Sequence, residues 1–356
     1  MRVELAAMEC FRIDESGYTG FDLLNAEQRF QGATAVAIDD NDAARLIAAH
    51  FPKLQAPELK FRALSRRPAN HSRLIGLMRD VLASYKCATF VCDKRFLLAL
   101  MFVDYAVEPF YHAQGIDFYA DGRNYALASL LHSTAPTLLG KGAYRRILAA
   151  FQQAMKDKTP ERLDALIRAV HACDWEQFDE ALGPLAVGAP ECLQAILTRG
   201  VSTDIAMIVL QSLISRMEEM AAGPYRVEHD QSKNLATYHD LIRRLADHKE
   251  AAEFRMSAAA RVRFPLQLTQ LIQVDSRTSP AVQIADILIG AVIEAGNTLA
   301  GVRSAGLDPR AILSLYAEDQ LIHLLPSIDF AEQREFRAGT QAAGLINYYS
   351  ANFASE

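Results

Sequence analysis

The spacing of apolar residues changes character twice along the chain, and this limits the fold more than any single motif. Residues 8–13 (Met8-Glu9-Cys10-Phe11-Arg12-Ile13) and 29–38 are short apolar runs, closed by Ser16-Gly17 and by Asp39-Asp40-Asn41-Asp42. That pattern predicts two neighbouring strands. Residues 58–64 predict a short third strand, and 72–84 carry Leu74, Ile75, Leu77, Met78, Val81 and Leu82 at helical spacing. Residues 85–92 predict another strand, ending at Asp93-Lys94. From residue 96 to about 220, apolar residues recur three and four apart between Gly-Pro and Ala-Pro breaks, so this stretch is expected to be almost wholly helical. Strand patterns resume at 225–229 and 271–274, separated by a polar helix over 232–250, and an apolar helix starts at Pro280.

Leading strands close together, then single strands separated by helices, predict an α/β mixed sheet with antiparallel strands first and parallel strands following. A chain of 356 residues exceeds the ~250–300 residues at which one core stops growing, and a large insertion accounts for the excess. The expected organisation is one α/β domain built from residues 1–95 and 221–300. It is interrupted by a helical insertion over 96–220 and followed by a C-terminal helical extension over 301–356, helical at 311–325 and 331–349.

Several carboxylates fall where such a fold concentrates chemistry. Asp14-Glu15-Ser16-Gly17 follows the first strand; Asp, Ser and Gly are ordinary turn residues, but a carboxylate ending a buried strand is costly unless paired or bound to a cation. Side chains alternate between faces, so only one of Asp14 and Glu15 can face a given site, and Asp14 is favoured. Asp93 and Asp230 each end a later strand. In Val274-Asp275-Ser276-Arg277-Thr278-Ser279-Pro280, Ser279 is a good helix cap with Pro280 at the first helical position. Gln283 and Asp286 then share one face of an apolar helix, and Gly290 lets that face approach a sheet closely. The alternative is a capped helix with a solvent-facing polar stripe. Several strand-end or helix-face aspartates together suggest a hard-oxygen site for Mg²⁺ or Mn²⁺. His229, directly before Asp230, is either a general base or a strand-end residue.

The segments Phe11-Arg12-Ile13-Asp14-Glu15-Ser16-Gly17, Phe90-Val91-Cys92-Asp93-Lys94, Val274-Asp275-Ser276 and Gln283-Ile284-Ala285-Asp286 resemble a bacterial family known as domain of unknown function 3800. That family is recognised by an early Asp-Glu and a late Gln-x-x-Asp. The resemblance spans about residues 8–300 and implies a ribonuclease-H-like fold, whose members carry carboxylates on the first strand, at the end of the fourth strand and on a late helix. Carried over, Asp14 takes the first position, Asp93 the fourth-strand position and Asp286 the helix position, together holding Mg²⁺ or Mn²⁺. Asp230 and Glu15 are further candidates, with Gln283, Ser16, Asp275 and Ser276 in support. No acidic residue is placed on the helix after the third strand; Glu58 lies just before it. The implied activity is a metal-dependent nuclease.

Composition bears on substrate and setting. With 37 basic against 43 acidic residues, the chain does not have the overall basic excess of a protein that wraps nucleic acid, so any contact must be local. Lys60, Arg62, Arg66, Arg67 and Arg73, with Glu58 the only acid among them, form the densest basic segment and are the expected phosphate contacts. Five cysteines without metal or C-x-x-C spacing suit a reducing compartment. The N-terminus lacks a secretory pattern and no apolar run is long enough to cross a membrane, which predicts a cytoplasmic protein with no membrane partner. The competing reading is a non-catalytic interaction protein that uses the helical insertion to bind a partner or itself; convergence or divergence of the carboxylates separates the two.

Overall fold

The computed structural model describes residues 8–353, apart from 54, 55, 57, 232, 258, 259 and 305. Residues 1–7, where a leader pattern is not expected, and Ser232 at the start of the expected polar helix lie outside the described residues.

The two leading strands are β1 (Glu9–Ser16) and β2 (Phe30–Val36), paired antiparallel with Asp14 opposite Thr34. Gly17 ends β1 at φ +85, and a Cβ there would meet the Phe30 carbonyl oxygen at 2.1 Å, so the turn between them requires glycine. Helices α1 (Asp40–His50), α2 (Phe61–Ser65) and α3 (His71–Ser84) follow, then β3 (Cys87–Asp93), antiparallel to β2. The strand expected at 58–64 is therefore replaced by α2. Its apolar residues Phe61 and Leu64 are both buried and three apart, a spacing that puts them on one face of a helical turn but on opposite faces of a strand.

The stretch between β3 and the next strand is helical, as expected. It comprises α4 (Lys94–Ala106), α5 (Glu108–His112), α6 (Arg123–Ala135), α7 (Lys141–Asp157), α8 (Pro160–His171), α9 (Asp179–Ala186), α10 (Pro190–Leu197) and α11 (Ala206–Met220). Strand β4 (Tyr225–Asp230) then pairs parallel to β1, and α12 (Lys233–Asp247) follows. A two-stranded hairpin, β5 (Ala252–Arg255) and β6 (Arg261–Phe264), was not legible from periodicity; four-residue strands carry too few alternations. Strand β7 (Leu268–Val274) lies parallel to β4 and leads into α13 (Pro280–Leu299), where Ser279 accepts from the Val282 amide as the cap and Pro280 opens the helix. The C-terminal part is α14 (Pro309–Leu313), β8 (Leu321–Leu324), α15 (Phe330–Arg337) and α16 (Ala342–Phe353). It is thus not wholly helical: β8 adds a parallel edge strand beside β3.

The sheet order β7-β4-β1-β2-β3-β8 has β2 as its one antiparallel strand, so the carboxyl ends of the other five open on one edge. Phe11, Ile13, Ala33, Ala35, Ala88, Phe90 and Cys92 pack on the face covered by the long helical stretch. Val36 and Cys87 on the other face meet α13, α1 and α3, with Phe30 and Val91 against the later part of α13. Helix α13 has the length and apolarity of a membrane-crossing helix, and 67% of that window is buried inside the protein, as its place against the sheet requires.

Candidate carboxylate site

Strand alternation decides which leading carboxylate joins the site. Phe11 and Ile13 face the long helical stretch, so Arg12, Asp14 and Ser16 face α13, and Glu15 is turned to the opposite side. The register Arg12↔Glu228 and Ile13↔His229 puts Asp230 beside Asp14 one step further along the same face. His229 accordingly turns away. Its Nδ1 meets the Asp230 carbonyl oxygen at 2.7 Å and its Nε2 lies 2.6 Å from His239 Nε2, while burial lowers its pKa to about 4. It is a neutral buried residue on the far face from the carboxylates.

Above Asp14 and Asp230, α13 brings Asp286 and the α2 approach brings Glu58 and Lys60. The Lys60 ammonium sits 2.9 Å from Glu58 and 3.6 Å from Asp230. Asp286 accepts the Phe61 amide at 2.7 Å, and this contact depends on Gly290, since a Cβ there would lie 2.7 Å from the Phe61 ring. The close approach expected at Gly290 is therefore made to α2 and not to a sheet, because the Phe61 ring occupies that face. Gln283 ties the same corner together: its Oε1 accepts from the Leu59 amide at 2.8 Å and its Nε2 donates to the Ser276 carbonyl at 2.7 Å. Ser276 donates its hydroxyl to Glu58 and its amide to Asp230 at 3.1 Å. Asp275 only caps the turn Ser276–Thr278 and pairs with Arg277 at 2.6 Å, half-exposed and outside the cluster.

The electrostatics follow from this crowding. Burial pushes the Asp14 carboxyl well above the usual range; the charge of Asp286 adds to the rise and Lys60 opposes it. Burial raises Asp286 too, with Glu58 and Asp230 adding to it and the Phe61 amide and Lys60 pulling it down. For Lys60, burial alone lowers the pKa, but the Glu58 hydrogen bond and the charges of Asp286 and Asp14 hold it above its ordinary value. Asp14 has a single hydrogen bond, from the Glu15 amide at 2.8 Å, and among the described residues neither Asp14 Oδ2 nor Asp286 Oδ1 has a partner. Glu58 and Asp230 thus pair with the ammonium directly, while Asp14 and Asp286 feel its charge without contacting it.

Asp93 does not join them. With the 58–64 segment folded as α2, the strand ending at Asp93 is the third in the chain, and the fourth is β4, ending at Asp230. Asp93 lies two strands across from Asp14 and four residues further along, roughly 16 Å away. Its Oδ2 accepts from Arg29 Nε at 2.8 Å and pairs with Arg29 Nη2 at 2.6 Å, and its Oδ1 caps α4 through the Arg95 and Phe96 amides. Of the basic segment, Lys60 is drawn into the carboxylates, while Arg62, Arg66, Arg67 and Arg73 are exposed. Sequence reasoning did not place Glu58 or Lys60 in the site; the available signal was a Glu-x-Lys immediately before a segment rich in arginine.

In comparisons with known proteins, no family model, no curated protein and no solved structure matches the chain.

Proposed function

We propose that the protein is a metal-dependent nuclease of ribonuclease-H-like fold that hydrolyses phosphodiester bonds at the Asp14–Asp230–Asp286 site. The observation that carries this reading is that those three carboxylates and Glu58 lie within electrostatic reach of one another and of Lys60 at the carboxyl ends of β1 and β4 beneath α13, although among the described residues no three of them stand at metal-ligand spacing in this structure. Open α/β sheets bind their ligands outside the carboxyl ends of strands. The resemblance to the domain of unknown function 3800 family belongs to the same reading: its first-strand carboxylate would be Asp14, its late-helix carboxylate Asp286, and, with β4 as the fourth strand, the fourth-strand position would fall to Asp230 in place of Asp93.

The donor set suits a hard divalent cation, because it consists of carboxylate oxygens and includes two, on Asp14 and Asp286, without a hydrogen-bond partner among the described residues. Asp14, Asp286 and Asp230 would hold Mg²⁺ or Mn²⁺, with Glu58 beside them. Such an ion activates water and stabilises the charge developing on a phosphodiester. The remaining work belongs to the chain. Lys60 offsets part of the negative charge and is positioned by Glu58. Ser276 and Gln283 fix Glu58, Asp230 and the entry to α13. Arg62, Arg66, Arg67 and Arg73, exposed around α2 and α3, supply local phosphate contacts beside a site that would otherwise repel a polyanion.

The test is Mg²⁺- or Mn²⁺-dependent cleavage of single-stranded, duplex and hybrid nucleic acids by the wild type and Asp14→Asn. Cleavage of at least one substrate, abolished in the variant, is expected. Equal cleavage by the variant removes the mechanism, and no cleavage of any of the three removes the nuclease reading.

A further inference from the structure

Beyond Asp286, helix α13 meets α2 twice more. Gly290 takes the Phe61 ring, and Glu294, a further turn along, takes the Ser65 hydroxyl, which donates to its Oε2 at 3.3 Å. Past this last contact a cleft of about 310 Å³ opens between the end of α2, the start of α3 and the loop that follows α13, with Ser65, Arg66, His71, Glu294 and Gly306 in its lining. That volume lies at the lower end for small-molecule sites and holds one planar heterocycle.

The walls of the cleft are fixed by contacts with one another. Ser65 is 5% exposed. His71 Nε2 stands 2.7 Å from the Ser65 carbonyl oxygen, so that nitrogen carries a hydrogen and donates it, which holds the ring. At Gly306 a Cβ would lie 3.0 Å from His71 Cε1 and 3.2 Å from the Ser65 carbonyl oxygen, so the loop after α13 closes on the same two residues. Glu294 is left short of donors. Its bond from Ser65 is long, and its Oε1 is shielded from solvent with no partner among the described residues. A carboxylate accepts at about four lone-pair sites, and a shielded oxygen without a donor is unfavourable in the fold alone.

A ligand for this cleft must therefore bring donors. Arg66 lines the same cleft, which disfavours a second cation against Glu294 and favours a neutral donor edge. The nucleobases separate sharply on such an acceptor. Guanine presents two adjacent donors, N1–H and the N2 amine, which match the two oxygens of a carboxylate. Adenine and cytosine set a ring acceptor beside the amine, and uracil and thymine flank their one N–H with carbonyls, so each turns lone pairs toward Glu294.

We infer that this cleft binds a guanine base, read by Glu294 and seated against Ser65 and His71, and carried either by a free nucleotide or by a nucleic-acid strand. Glu294 lies eight residues along α13 from Asp286, about 12 Å, and the site does not rest on the hydrolysis reading.

The experiment is calorimetric titration of the full chain with guanosine 5′-monophosphate in the absence of divalent metal. Saturable binding is expected, at least tenfold tighter than that of the adenosine, cytidine and uridine nucleotides. Inosine 5′-monophosphate lacks only the N2 amine and should bind at least tenfold more weakly than the guanosine nucleotide, a comparison made on the unaltered protein. Glu294→Gln exchanges one acceptor for a donor. It should lose the guanine preference and gain affinity for the adenosine nucleotide, a change that a merely structural role would not produce, and thermal melting shows that the variant is folded. Asp14→Asn should keep wild-type affinity, which separates this site from the carboxylates. A single-stranded oligonucleotide with one guanine identifies the source: binding at least tenfold tighter than the mononucleotide assigns a strand, and equal or weaker binding assigns a free nucleotide. Absence of saturable guanosine nucleotide binding, equal affinity for the guanosine and inosine nucleotides, or a guanine preference kept by Glu294→Gln overturns the inference.

Discussion

Asp14 and Asp93 are the same residue type at the carboxyl ends of parallel strands in one sheet, and both are buried, at 8% and 1% exposure. Their surroundings are opposite. Asp93 is held by a bidentate arginine and two helix-cap amides, so every oxygen is satisfied and its charge is fully used by the fold. Asp14 has one hydrogen bond and faces Asp286 and Asp230, with Lys60 as the cation opposing its raised pKa. The difference teaches that burial of a carboxylate does not mark a functional site. What marks it is burial without sufficient partners, because that arrangement is unfavourable in the fold alone and is relieved by a ligand.

The sharpest way to break this comparison is to remove each carboxylate and measure stability by urea unfolding. Asp93→Ala should destabilise by about 4 kcal/mol, since it removes the α4 cap and leaves Arg29 without its partner. Asp14→Asn should leave stability unchanged or raise it, because it removes a charge that burial and Asp286 disfavour. If the two cost the same, the distinction between them is lost.

The next effect concerns acid. His229 has a folded pKa of about 4, below its unfolded value near 6.5. The unfolded chain therefore binds the proton first, and stability present above about pH 6.5 is lost as pH falls toward 4, by about 3 kcal/mol. Asp14 works in the other direction: its raised folded pKa means that its cost is greatest at high pH and fades as the folded carboxyl takes up a proton. A His229→Gln variant should flatten the acid limb of the stability–pH curve. The advantage of Asp14→Asn over wild type should shrink toward low pH, and an advantage that grew there would contradict the raised pKa.

For activity, Asp14→Asn should lower metal-dependent cleavage by about 100-fold or more, equivalent to about 2.7 kcal/mol of barrier, in a single-turnover assay. The smallest effect is expected from Lys60→Met. Without the internal ammonium the carboxylates depend more on added cation, so Mg²⁺ should stabilise this variant by about 1 kcal/mol more than wild type in thermal melts. Equal metal-induced shifts in the two proteins would show that Lys60 does not offset the site.

Much of the frame could be read from the residues. Alternation selected Asp14 over Glu15, and Ser279-Pro280 marked the start of α13. The Gln283–Asp286 spacing put both side chains on the face that meets the α2 approach. The helical run between β3 and β4 followed from apolar spacing alone. Other features escaped, the β5–β6 hairpin among them. The 58–64 segment reads as a strand, yet Phe61 and Leu64 share one face only in a helical turn, and packing of Phe61 on Gly290 resolved it as helix. Strand β8 is short, and its pairing partner is more than two hundred residues earlier. Lys60 reads as part of a basic patch in one dimension, yet its ammonium is drawn to Glu58 and Asp230.

The sequence by itself determined much of the local order: which of the longer segments are strands or helices, where the long helix is capped, and which leading carboxylate faces α13. These depend on periodicity and on neighbours a few residues apart. Only the tertiary structure decided which aspartates meet. Asp14, Asp230 and Asp286 are brought together by a parallel pairing across more than two hundred residues and by a helix folded back over it, whereas Asp93 is drawn to Arg29, just before the neighbouring strand. Whether a buried charge is satisfied depends on partners distant in sequence, so which carboxylates are paired and which are not was decided by the fold.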